Sequence, residues 1–87
     1  MDHLTEALLV QAVWEKGSIV QGFDPALWRK DAYGSLMHRF AYGNRNSEFG
    51  WEKDHVWPSA LGGQTNYFNY RPLHWRNNLI RQANPFV

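Results

Sequence analysis

Trp51-Glu52-Lys53-Asp54-His55-Val56-Trp57-Pro58 and the answering stretch Asn69-Tyr70-Arg71-Pro72-Leu73-His74-Trp75-Arg76-Asn77-Asn78-Leu79-Ile80-Arg81 decide how this chain is read. The first reads as a strand that carries an acid beside an imidazole, with Pro58 ending it. The second reads as a loop that enters a helix at Pro72, where a missing N–H costs nothing, and runs to about Ala83 before Asn84-Pro85 stops it. At ~100° per residue, Leu73, Asn77 and Ile80 fall on one side of that helix, and Arg71, Trp75, Asn78 and Arg81 on another. The expectation is that one face packs on a hairpin while the other points an amide oxygen and two guanidiniums outward.

Working outward, Ser35 to Tyr42 is bounded by Gly34 and Gly43 and suits a strand. Gly43-Asn44-Arg45-Asn46-Ser47 is dense in turn formers, so the chain is expected to reverse there and return through Phe49 to Val56 as a β-hairpin. Between the two deciding stretches lies the loop Ser59 to Asn66, where Gly62-Gly63 gives backbone freedom that a side chain would deny. Its length suits a functional loop. Upstream, Asp2 to Lys16 reads as an amphipathic helix, with Asp2 as cap, Leu4, Leu8 and Val10 to Trp14 as a broad apolar face, and Gly17 as a left-handed stop. Ser18 to Val20 is a short extended piece. Gly22-Phe23-Asp24-Pro25 is a turn, from which Pro25 opens a single helical turn through Trp28.

At 87 residues the chain is one domain, and a domain of that size must have a dense core. Five Trp, four Tyr and five Phe supply it. There is no cysteine, which excludes disulfides and thiolate zinc sites and is compatible with a reducing compartment. The apolar run Ala7 to Trp14 is too short to span a membrane and has no basic segment before it, so a cytoplasmic protein is expected. The net charge of +1 hides a split. Residues 1–28 hold one Lys against four acids, giving −3; residues 29–87 hold eight Lys and Arg against four acids, giving +4. A polyanionic partner would sit against the second part, although scattered charges are also an ordinary solvated surface.

The order Asp54-His55 on a strand, Pro58 three residues after the His, a Gly-Gly loop, Asn69, and Asn78 nine residues later on a helix resembles the HNH endonuclease family. Trp14-Glu15-Lys16-Gly17, Trp28-Arg29-Lys30-Asp31, Gly34, Gly50-Trp51-Glu52 and Leu73-His74-Trp75-Arg76-Asn77-Asn78 resemble a group of small stand-alone bacterial members, and the likeness runs from about Val13 to Arg81. The sequence departs from the family's habit at Tyr70, where Leu is usual, at Lys53, where an apolar residue is frequent, and at Arg81, where Lys is common.

The resemblance implies an α+β protein with the ββα-metal fold: a β-hairpin packed on a C-terminal helix and preceded by an N-terminal helix. Residues 1–28 would form a helical extension and 35–83 the core of a single domain. It implies that His55 is the general base, that Asp54 and Asn78 are metal ligands, and that Asn69 holds the loop and orients the base. In a regular strand Asp54 and His55 would diverge, so a bulge or twist is expected to bring both to one site. A carboxylate and an amide suit one Mg²⁺, with Mn²⁺ accepted and no structural zinc. Arg71, Arg76 and Arg81 are candidates for phosphate contacts.

The implied reaction is hydrolysis of DNA phosphodiesters to 5′-phosphate and 3′-hydroxyl ends, by nicking, with duplex favoured over RNA. The alternative is a module that binds nucleic acid or protein without turnover. His74 reads as a structural residue, Glu52 as a partner for a nearby Arg, and Trp51, Trp57 and Trp75 as core rather than base-stacking platforms. Neither a recognition sequence nor a choice between monomer and homodimer follows from the sequence.

Overall fold

The computed structural model of the chain describes residues 3–86, with side chains from Thr5 onward. The chain is α+β. Helix α1 (His3–Trp14) is followed by β1 (Trp28–Lys30) and β2 (Leu36–His38), then by β3 (Trp51–His55), β4 (Tyr70–His74) and helix α2 (Trp75–Ala83). Two antiparallel pairs result, β1 with β2 and β3 with β4. The cap expected at Asp2 lies outside the described residues.

The hairpin expected between Ser35–Tyr42 and Phe49–Val56 does not form. β2 pairs backwards with β1, placing Trp28 opposite His38, while β3 pairs forwards with β4, from Trp51 opposite His74 to His55 opposite Tyr70. The local reason is at His38, whose Nδ1 accepts the Phe40 N–H and turns the chain into a 3-10 turn at Arg39–Ala41. A single parallel bridge, Tyr42 with Trp51, the bond from His38 N–H to Phe49 O and the bond from the Trp51 indole N–H to Arg39 O join the two segments there without forming a ladder.

Pro72 lies in β4, and α2 begins three residues beyond it. The Val56 N–H donates to Asn69 O, so the pairs in phase with it, 54 with 71 and 52 with 73, carry the ladder bonds. Pro72, opposite Lys53, stands where the ladder needs no N–H. His74 supplies the helix start instead, its Nδ1 accepting the Arg76 N–H.

Residues paired across a ladder share a face, so Trp51, Lys53, His55, Tyr70 and Pro72 lie on one side of the β3–β4 ribbon and Glu52, Asp54, Arg71 and Leu73 on the other. Helix α1 packs on the first side through Leu9, Val10, Val13 and Trp14, closing a core with Met37, Tyr42, Trp51 and Tyr70. Trp14 and Trp51 are fully buried, their rings 5.2 Å apart, while Leu8 points outward. The Lys16 ammonium donates to the carbonyls of Tyr67 and Tyr70, tying the end of α1 to the start of β4. Gly17 does not adopt the expected left-handed conformation. Its smallness matters for another reason, since an added Cβ would lie 3.0 Å from the Arg29 Cβ.

Helix α2 covers the second side, and its orientation is the reverse of that expected. Asn78 is 3% exposed and faces the strands, whereas the apolar Ile80 is 59% exposed. The seam between α2 and the ribbon is polar because Glu52 and Asp54 line it.

Candidate functional site

Strand alternation places Glu52 and Asp54 side by side along one face of β3, and helical spacing places Asn78 and Arg81 one turn apart on α2. The elements meet as two rungs. In one, Asn78 Nδ2 donates to Glu52 Oε1 at 2.7 Å, and Arg45 clasps the same carboxylate with Nε at 2.7 Å and Nη2 at 2.9 Å. In the other, Arg71, directly opposite Asp54 in the ladder, donates through Nε to Asp54 Oδ2 at 2.8 Å, and the Arg81 Nε lies 3.9 Å from that oxygen.

These contacts set the electrostatics of the seam. The Arg45 hydrogen bond holds the Glu52 carboxyl below its ordinary range, against the upward push of burial and with help from Asn78. Burial works against the charge on Arg71, but hydrogen bonds to Asp54 and Tyr33 outweigh it and raise its pKa. Asp54 is 6% exposed, a buried carboxylate satisfied by guanidiniums.

His55 ends β3 on the opposite face of the ribbon. Its ring sits 5.0 Å from Tyr70, and its Nε2 is 3.1 Å from the Thr65 hydroxyl. The β3–β4 register runs from residue 51 to 55 without a bulge, so the expected local break that would turn Asp54 and His55 the same way is not there. A physical link does join them: Arg81, beside the Asp54 carboxylate, donates through Nη2 to the carbonyls of His55 and Val56.

Asn69 closes the neck of the loop between β3 and β4. Its Oδ1 accepts the Trp57 N–H at 2.8 Å, while its Nδ2 donates to Trp57 O at 3.0 Å and Gln64 O at 2.8 Å. Arg76 lies outside the seam, exposed at the start of α2 with its guanidinium 4.8 Å from the Trp75 ring centre.

Asp54, Asn78, Arg71 and Arg81 are therefore gathered at one seam, Asn69 holds the loop, and His55 stands across the ribbon beside that loop. Glu52 proves to be the partner of Asn78 as well as of Arg45. Its position two residues before Asp54 signals that it shares that face. Thr65 carries no such signal, because its approach to His55 depends on how the loop folds. Trp57, expected in the core, is 58% exposed. Trp51 is in the core and Trp75 is half-buried.

A cation at the seam would draw on oxygen donors. Asp54 directs Oδ2 at Arg71, and Asn78 uses its Nδ2 on Glu52, so Asp54 Oδ1 and Asn78 Oδ1 are the atoms each has left for another partner. Hard oxygens of this kind suit Mg²⁺ or Mn²⁺. Among the described residues no three His, Asp or Glu side chains cluster so as to hold an ion, and no helix is long and apolar enough to cross a membrane.

No protein-family model, curated protein or solved structure matches this chain.

Proposed function

We propose that the β3–β4–α2 unit is a ββα-metal nuclease core of the HNH type and that the protein is a metal-dependent endonuclease acting on DNA. The observation that carries this reading is the composition of that unit. An antiparallel pair is covered on one face by a helix, Asp54 and Asn78 sit in the strand–helix seam, and His55 ends the strand beside a loop tied by Asn69. The order of these residues along the chain adds the resemblance drawn from the sequence.

In this reading the neutral imidazole of His55 takes a proton from water, and the resulting hydroxide attacks phosphorus. The bond to the 3′ oxygen breaks, leaving a 5′-phosphate and, after protonation from solvent, a 3′-hydroxyl. Thr65 holds the ring at Nε2 and Asn69 fixes the loop that carries Thr65. A divalent ion held by Asp54 and Asn78 would supply charge stabilisation at the scissile phosphate. Arg71 and Arg81 stand at that seam, and Arg76 lies on the exposed start of α2 for a more distant phosphate. One active site cuts one strand, so the expected product is a nick.

A second reading, a nucleic-acid-binding module without turnover, draws on the position of His55 across the ribbon from Asp54 and on the arginines that already engage the Asp54 carboxylate. Supercoiled plasmid separates the two. The nuclease nicks it with Mg²⁺ or Mn²⁺, and both EDTA and His55→Ala abolish nicking. Plasmid that shifts in a gel with wild type and His55→Ala alike, and is cut by neither, overturns the nuclease.

A further inference from the structure

The loop between β3 and β4 has a composition unlike the rest of the second half of the chain. Residues 56–70 contain no charged side chain, yet Val56, Trp57, Leu61, Tyr67 and Phe68 are all exposed there, Phe68 at 89%. Scattered exposed apolar residues are ordinary; a run of aromatics on one loop is a binding feature.

Two of them, Trp57 and Phe68, belong to a shaped site. Trp57, Gly62, Gly63, Gln64, Asn66, Phe68 and Asn69 line a cleft of about 370 Å³, within the roughly 300–1,000 Å³ typical of sites for one small organic group. Local hydrogen bonds tie parts of its walls. The Trp57 indole N–H donates to Leu61 O at 3.1 Å, and Asn66 Oδ1 accepts the Phe68 N–H at 3.0 Å. Gly63 packs so closely that an added Cβ would lie 1.8 Å from Trp57 O.

Hydrogen-bonding edges complete the lining. Gln64 accepts through Oε1 from Asn66 Nδ2, leaving its own amide hydrogens for a ligand. The charge pattern around the cleft is equally specific. The lining is neutral, while cations hold the residues next in sequence to its two aromatics: the Lys16 ammonium lies 3.9 Å from the ring centre of Tyr67, and Arg81 holds the Val56 carbonyl. A nucleotide has the complementary pattern, a flat uncharged heterocycle joined to an anionic phosphate. The cleft is also linked to the proposed base, because Thr65, between the lining residues Gln64 and Asn66, contacts His55.

We infer that this cleft receives an unpaired nucleobase of the DNA strand, stacked against Trp57 and Phe68. Aromatic side chains engage the face of a base, and in a duplex that face is covered by its neighbours. The site therefore selects DNA with a bulged, frayed or flipped nucleotide near the phosphate presented to His55. This inference rests on the nuclease reading and narrows its substrate class.

The test is fluorescence anisotropy of the full chain with two fluorescein-labelled DNA duplexes closed by G·C pairs at both ends, one fully paired and one with a single bulged nucleotide, in EDTA so that binding is read without cleavage. Wild type should bind the bulged duplex at least about fivefold more tightly, and Phe68→Ala and Trp57→Ala should each bring the ratio toward one. Trp57→Phe, which keeps an aromatic face, should retain most of the preference. Phe68 is too exposed for its truncation to threaten folding, so that variant remains informative if Trp57→Ala is unstable. Equal binding of both duplexes by wild type, or a preference untouched in Phe68→Ala, overturns the inference. If wild type also nicks plasmid, the nuclease reading survives alone; if it neither binds nor nicks DNA, both fall together.

Discussion

At the scale of single residues, the seam shows how one ion pair fixes the chemistry of its neighbour. Arg45 clasps Glu52, Glu52 orients the Asn78 amide, and the Asn78 oxygen is thereby turned toward other partners. The Arg45 bond depresses the Glu52 carboxyl in the folded state from an ordinary value of 4.5. A carboxyl depressed only in the folded protein stabilises it above the unfolded pKa, and that stability is lost as pH falls through the folded value. Glu52→Gln removes this titration. The melting temperature of wild type should exceed that of Glu52→Gln at about pH 7, and the gap should narrow steadily below about pH 4.5. Parallel melting curves across that range would show that the Arg45–Glu52 pair contributes nothing to folding.

At the scale of elements, Asp31 joins parts of the fold that are distant in sequence. Its Oδ1 accepts the Tyr33 and Ser35 N–H groups and shapes the β1–β2 turn, while its Oδ2 accepts the His74 N–H and the Asn77 amide at the start of α2. Asp31→Asn would turn an NH₂ toward buried donors and should cost about 2–4 kcal/mol, read as a lower urea midpoint with an unchanged slope.

Much of this level was legible in the sequence and some was not. Helix α1, the strand at Trp51–His55, the turn-rich connection after Gly43 and a final helix ending at Ala83 follow from local pattern. The partner of that strand does not, because β4 lies beyond residues 56–69 and nearby residues 35–42 offered a pairing that local signals favoured. Pro72 reads as a helix start because proline suits both that position and a ladder position that needs no N–H. The inward face of α2 was inverted for a related reason. Apolar periodicity assigns Ile80 to the interior, but the surface that α2 meets carries Glu52 and Asp54, and polar partners turn Asn78 and Arg81 toward them. In the candidate site, the family resemblance named Asp54 and Asn78, which the seam holds, while the bond of Asn78 to Glu52 and the loop contacts of His55 required the fold.

For the whole molecule, the two buried tryptophans carry a large share of the stability available to so short a chain. Trp14 and Trp51 pack against each other between α1 and the ribbon and join both layers to Met37 and Tyr70. Trp51→Ala should cost about 3–5 kcal/mol, against a total of about 5–15 kcal/mol for ordinary domains. Circular dichroism should show a melting temperature lowered by at least about 12 °C, at ~4–8 °C per kcal/mol for a domain of this size. A drop of only a few degrees would mean that the core refills the space.

The amide of Asn69, gripping the chain at Trp57 and again at Gln64, works as a drawstring. What hangs beyond a drawn neck can be exchanged without loosening the cloth below it. Residues 58–63 thus form a cassette whose contents can drift in length and character while the ribbon underneath keeps its register. A scaffold built this way can change what it grips at little risk to how it holds itself together.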